Sequence, residues 1–171
     1  MKNKVDVALE KFMSGYNCAQ AVLFVHSGDL GLEANAALKL ACGFGAGMGR
    51  KEEVCGAVSG GIMVIGADYG CGEGDGRAAN ENENAYSKTR ELLERFQSGR
   101  GSYICRELLD GCDLTTEEGQ RHCKQNDLVK KDLQGMREER DADSRGDRSA
   151  KAIDPYHGCR NCRSQFALVL K

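Results

Sequence analysis

Nine of the 171 residues are cysteine, and their positions carry most of the chain's chemical potential. Cys55 opens a stretch of small and apolar residues, Cys55-Gly56-Ala57-Val58-Ser59-Gly60-Gly61-Ile62-Met63-Val64-Ile65-Gly66-Ala67. Charged Arg50-Lys51-Glu52-Glu53 precedes it, and a glycine-rich loop at 70–74 follows. The stretch reads as a buried helix with Cys55 in its first turn. Gly56 and Gly60 fall on one face, and glycine there costs roughly 1 kcal/mol per residue against alanine. The expected compensation is close approach of another backbone. A thiol at a helix start has its thiolate favoured by the dipole and the unpaired N–H groups. Cys18 repeats the arrangement, because Asn17 is a good N-cap for an apolar helix over 18–26. A third candidate, Cys105, lies in a short helix over 103–109 that Ser102 could cap.

These residue types allow three chemistries. Two sulfurs at neighbouring helix starts could form a disulfide if their Cα atoms lie within roughly 7 Å, and exchange it with a partner. Cys18, Cys55 and Cys105 could instead ligate zinc or an iron–sulfur cluster, although four thiolates are the usual requirement and the spacing is far wider than compact Cys-x-x-Cys runs. The third reading is a non-catalytic accessory module whose cysteines are small hydrophobes in a core. His26, at the end of its helix, is expected to serve the dipole rather than a metal. Glu52-Glu53 read as dipole and solubility charges. The glycines of Cys42-Gly43-Phe44-Gly45-Ala46-Gly47-Met48-Gly49-Arg50 suggest a phosphate loop, but no strand precedes them and the Walker lysine–hydroxyl pair is absent. They read as a tightly packed connection to Cys55.

The elements that must position these residues are helical. Val5, Ala8, Leu9, Phe12 and Met13 give an amphipathic period over 4–14, closed by Gly15. A third helix is expected over 33–42 and a long polar one over 77–97, stopped by 98–102. A last helix, capped by Thr115 or Thr116 with Glu117-Glu118 in its first turn, should fade at Asn126. No strand period stands out. The fold class is therefore all-α: a single-domain helical bundle around the buried glycine-rich helix, with an irregular tail.

Composition narrows the setting. A net charge of −2 leaves no nucleic-acid footprint, and no apolar run is long enough to span a bilayer. The N-terminal residues lack a secretory pattern, so a cytoplasmic location is expected. In that reducing setting, nine cysteines argue against a structural disulfide scaffold. The electron partner is unknown, and self-association stays open.

Five pieces together resemble the C_GCAxxG_C_C family of redox-active proteins. They are Gly15-Tyr16-Asn17-Cys18-Ala19-Gln20-Ala21-Val22, the 43–50 glycine segment, Cys55-Gly56-Ala57-Val58-Ser59-Gly60-Gly61, Phe96 with 101–109, and Asp113-Leu114-Thr115-Thr116-Glu117-Glu118-Gly119. The resemblance covers roughly residues 5–130. It implies a helical protein with four characteristic cysteines, three of which map to Cys18, Cys55 and Cys105. Related cysteine domains occur joined to haem proteins, which implies an iron–sulfur site as one possible cofactor. The fourth cysteine should follow 128–131, and none stands there; Cys123 falls outside the pattern. The chain therefore divides into a helical cysteine domain, 1–130, and an atypical charged tail, 131–171. The tail is expected to be disordered or the product of a frameshift, because an out-of-register reading of 131–143 restores a cysteine and an apolar period. Its Cys159-Arg160-Asn161-Cys162 is then incidental.

Overall fold

A computed structural model of the chain describes residues 3–72, 82–109, 112–125 and 169. Among them the secondary structure is helical, with one isolated antiparallel bridge between Val54 and Ile104. The all-α expectation holds for the described residues.

The first helix, α1 (Lys4–Met13), starts where the Asn3 side chain accepts the Asp6 N–H at 2.8 Å. It stops at Ser14, and Gly15 follows with φ 101°. The second helix, α2 (Cys18–His26), has a complete capping box: Asn17 Oδ1 accepts the Gln20 N–H, and Gln20 Oε1 accepts the Asn17 N–H, both at 3.0 Å. Its buried residues run from Ala19 to Leu23. Gln20 is tolerated among them because its Nε2 donates to the Leu38 carbonyl at 2.9 Å. At the far end, His26 stands in the last turn of α2, as expected. Burial, then the Lys4 charge, lower its pKa, and Lys4 Nζ lies 3.1 Å from its Nδ1.

Helix α3 (Ala34–Leu40) is shorter than the 33–42 expected. Glu33 caps it from outside, its carboxylate accepting the Asn35 and Ala36 N–H groups at 2.8 and 2.7 Å. A 3₁₀ turn at Cys42–Phe44 leads into a four-residue turn, α4 (Gly45–Met48). Ala46, Gly47, Met48, Gly49 and Arg50 all have φ between 53° and 68°, and Glu52 has φ 59°. The glycine-rich segment is thus a left-handed coil and not a phosphate loop. Non-glycine residues there cost on the order of 1 kcal/mol each. The coil is closed by Gly49 N–H to Gly45 O at 2.9 Å and Glu53 N–H to Gly47 O at 3.1 Å.

Helix α5 (Gly56–Tyr69) is buried from Gly56 to Gly61 and emerges to solvent towards Tyr69. Its glycines serve the predicted close approach, and the partner is α2. A Cβ at Gly60 would lie 2.9 Å from the Ala19 carbonyl and 2.9 Å from Val22 Cβ. Helix α6 (Asn82–Arg100) runs through Ser98 and Gly99, expected as its stop, and ends only where Gly101 turns to φ 80°. Its packing on α5, centred on fully buried Phe96, outweighs the local glycine penalty. The predicted start at 77 lies outside the described residues.

Two short helices complete the described chain. In α7 (Cys105–Leu108), Ser102 Oγ accepts the Ile104 N–H at 2.9 Å just ahead of the helix. In α8 (Glu117–Gln125), Thr116 Oγ1 accepts the Gly119 N–H at 3.0 Å. The main core joins Ala8, Leu9, Ala21, Val22, Ala57, Val58, Phe96, Leu108 and the thiol of Cys55. Val169 packs against it, and a Cβ at Gly61 would lie 2.5 Å from its Cγ1. The expected domain boundary at 130, and nearly all of the tail beyond it, lie outside the described residues. No helix among the described residues is long and apolar enough to cross a membrane.

Candidate functional site

Cys18 is the first residue of α2, and Cys55 stands one residue ahead of α5 as its N-cap rather than within its first turn. The two helix starts face each other because α5 has no side chain where they touch. A Cβ at Gly56 would sit 3.2 Å from Cys18 Cβ, 3.2 Å from the Ala19 nitrogen and 3.1 Å from the Phe44 carbonyl. Asn17, which caps α2, also donates from Nδ2 to the Cys42 carbonyl at 2.9 Å. The start of α2 is therefore tied to the 42–45 turn on one side and to α5 on the other.

Cys105 arrives from another direction. The bridge between Val54 and Ile104 is flanked by Cys55 N–H to Tyr103 O at 2.8 Å and Cys105 N–H to Glu53 O at 2.6 Å. This antiparallel pairing sets Cys55 and Cys105 on one face as diagonal neighbours, a relation in which Cα atoms are about 7–8 Å apart. The left-handed coil presses on the same place. A Cβ at Gly47 would lie 2.7 Å from Cys105 Cβ, so that position needs glycine for space as well as for its φ of 67°. The structure thus brings Cys18 to Cys55, and Cys55 to Cys105.

Electrostatics revise the expectation of a ready thiolate. Cys55 is 3% exposed, and burial, reinforced by the nearby Cys18 charge, pushes its thiol up to about 12. The amides of Ala57 and Val58 and the charge of Arg100 favour the thiolate, as a helix start should, but they are outweighed. Cys18 is only half-buried, so the accessible sulfur of this pair belongs to α2.

Among the described residues, no group of three or more His, Cys, Asp or Glu side chains is placed to hold a metal ion. Nor are Glu52 and Glu53 mere solubility charges. Glu53 pairs with Arg106, while the Glu52 carbonyl accepts the Arg106 N–H at 3.0 Å and its carboxylate accepts the Leu114 N–H. These contacts dock Arg106 and Leu114 onto the loop before Cys55.

The remaining surprise is a disulfide between Cys112 and Cys123, with Cα atoms 5.9 Å apart. Sequence reasoning argued against such a link, and only the 11-residue separation across a turn–helix could have signalled it. Arg100 was missed too, because the end of a polar helix gives no local sign that it faces a distant thiol.

The model of the C_GCAxxG_C_C family, described as "Putative redox-active protein", matches residues 16–167. The chain belongs to this family. The match takes in Cys18, Cys55 and Cys105 and continues past residue 131, so most of the charged stretch lies within the C_GCAxxG_C_C span. No curated protein and no solved structure matches the chain.

Proposed function

We propose that this C_GCAxxG_C_C protein is a dithiol redox module in which Cys18 and Cys55 cycle between two thiols and one disulfide. The observation that carries the reading is the contact made possible by Gly56, which sets Cys18 against the Cys55 end of α5. Cys18, as the accessible sulfur, attacks a disulfide of the electron partner as its thiolate. One partner sulfur leaves as a thiol, and Cys18 is held in a mixed disulfide. Cys55 then attacks the Cys18 sulfur, the second partner thiol leaves, and two electrons have passed to the partner.

The coupling between the two sulfurs orders these steps. Burial, and then a Cys18 thiolate, raise the Cys55 pKa, so Cys55 keeps its proton while Cys18 is charged. Once Cys18 is in the mixed disulfide that repulsion is gone, and the Ala57 and Val58 amides with Arg100 are opposed by burial alone, so the Cys55 proton is held less tightly than before. Cys105, diagonal to Cys55, is the third sulfur of the cluster and the candidate for disulfide relay.

Peptide mapping of alkylated protein, before and after mild oxidation, tests the assignment. The wild type should yield a Cys18–Cys55 link on oxidation, and Cys18→Ser or Cys55→Ser should lose it. Two oxidisable thiols that persist unchanged in both variants would overturn the pairing. Stoichiometric zinc or iron with visible absorbance in anaerobically purified protein would replace it with a cysteine-ligated centre. Thiols that never oxidise would leave only a packing role.

A further inference from the structure

The geometry points to a second thiol–disulfide exchange site at Cys112–Cys123, separate from Cys18, Cys55 and Cys105, whose reductant is a low-molecular-weight thiol. The disulfide is not sealed inside the core. A pocket of ≈ 250 Å³ opens beside it, lined by Cys112, Asp113, Thr116, Glu118, Gly119 and His122. That volume is below the range typical of drug-sized ligands, and it suits a small thiol rather than a folded partner. The lining mixes polar and apolar surface, with the side chains of Asp113, Thr116, Glu118 and His122 beside Cys112. The pocket borders Cys112, which is 4% exposed overall, and not Cys123, which is half-buried.

This asymmetry assigns the two sulfurs different roles. Thiol–disulfide exchange requires a thiolate to approach one sulfur and the other to depart. A thiol bound in the pocket meets Cys112, so Cys112 is the sulfur attacked. Cys123, the more solvent-accessible of the two, is the sulfur that leaves and is hydrated as it takes the charge. His122 lines the same pocket and can accept the incoming thiol's proton.

The balance is as follows. The first thiol gives its proton to the His122 imidazole, and its sulfur bonds to Cys112 as the Cys112–Cys123 bond breaks. The electron pair leaves on Cys123, which takes up the proton. A second molecule of the thiol attacks the mixed disulfide and releases Cys112 as a thiol. The two small thiols end as one disulfide, and two electrons and two protons end on Cys112 and Cys123.

The helix that carries Cys123 is suited to such a cycle. Besides the disulfide, polar turn contacts hold α8, among them Thr116 to the Gly119 N–H and Gln120 Nε2 to the Leu114 carbonyl at 2.9 Å. None of its described residues belongs to the buried core.

The test uses the full chain purified without reductant. After alkylation and trypsin, the segment 107–121 carries Cys112 and the segment 122–124 carries Cys123, so the disulfide appears as one linked pair of peptides. Native protein is then equilibrated with graded ratios of reduced to oxidised glutathione. The expected result is a linked pair that disappears reversibly as the reduced fraction rises, with a transient glutathione adduct on the Cys112 peptide. The same titration should persist in the Cys18→Ser/Cys55→Ser protein, which separates this site from the proposed Cys18–Cys55 couple. His122→Gln should slow the reduction roughly a hundredfold without moving its end point. A linked pair that survives until the protein is denatured would make the disulfide a fixed staple and overturn the proposal. So would both cysteines alkylating in unreduced protein, or an adduct that forms on Cys123. An unchanged rate in His122→Gln would remove His122 from the mechanism.

Discussion

Cys55 shows that a helix start does not by itself make a reactive thiol. The dipole and two amides favour the anion, but a side chain that is 3% exposed has lost the water that would stabilise it. The consequence for stability follows from linkage. The thiol pKa is raised from 9.0 to about 12 on folding, so between those values the folded state holds a proton that the unfolded chain has released. The contribution is complete below pH 9 and is lost as pH rises through 12. Three units correspond to about 4 kcal/mol as an upper figure. Urea unfolding between pH 8 and 11 should therefore show the wild type losing more stability than Cys55→Ala. Equal slopes for the two proteins would mean that the Cys55 thiol is not buried in its neutral form.

Among the elements, the pairing of α2 with α5 carries the site, and it rests on small residues. Gly60→Ala places a methyl 2.9 Å from the Ala19 carbonyl, which cannot move without moving α2. The expected loss is about 1–3 kcal/mol, read as a lower thermal midpoint, with the Cys18–Cys55 pairing disturbed. Gly66→Ala, on the same helix but with nothing within 4 Å, should be neutral or stabilising by about 0.5–1 kcal/mol. If both variants melt alike, α2 does not pack on α5 as described. The cap of α2 gives a second test. Asn17→Ala removes the capping box and the bond to the Cys42 carbonyl, and should cost roughly 1 kcal/mol or somewhat more. Because the cap adjoins Cys18, alkylation of Cys18 should also change in rate, whereas that of Cys71, in the loop after α5, should not.

At the scale of the whole molecule, the loop before Cys55 is where distant segments meet. The Val54–Ile104 bridge, the Glu53–Arg106 pair and the Glu52 contact to Leu114 bind Ile104, Arg106 and Leu114 to residues 52–54. The ion pair is more than half exposed on both sides, so it adds little by itself. Glu52 matters more, because its loss leaves a part-buried Leu114 N–H without its acceptor. Glu52→Ala should cost about 1–3 kcal/mol and speed hydrogen exchange at Leu114 ahead of exchange in α2. Exchange that rises uniformly along the chain would show that the contact is not a local dock. The return of Val169 to the core against Gly61 belongs to the same scale, since it brings the far end of the chain back to the helix that carries Cys55.

Local chemistry determined most of the helices, with caps at Asn17 and Thr116, and the placing of Cys18 and Cys55 at helix starts; Ser102, read as a cap, instead bonds the Ile104 N–H ahead of a shorter helix whose N-cap is Ile104. Caps and apolar periods are contacts between residues a few positions apart, and the amino acids themselves state them. The need for glycine at 56 and 60 was legible for the same reason, as a penalty that some neighbour had to offset. What that neighbour is, only the tertiary structure decided: the backbone of α2, brought close because neither helix has a large side chain in the way. The left-handed coil at 46–50, the bracketing role of Glu52 and Glu53, the link between Cys112 and Cys123 and the raised pKa of Cys55 were also beyond the sequence. Each depends on burial or on contacts across many residues of chain, and neither quantity exists until the helices have packed.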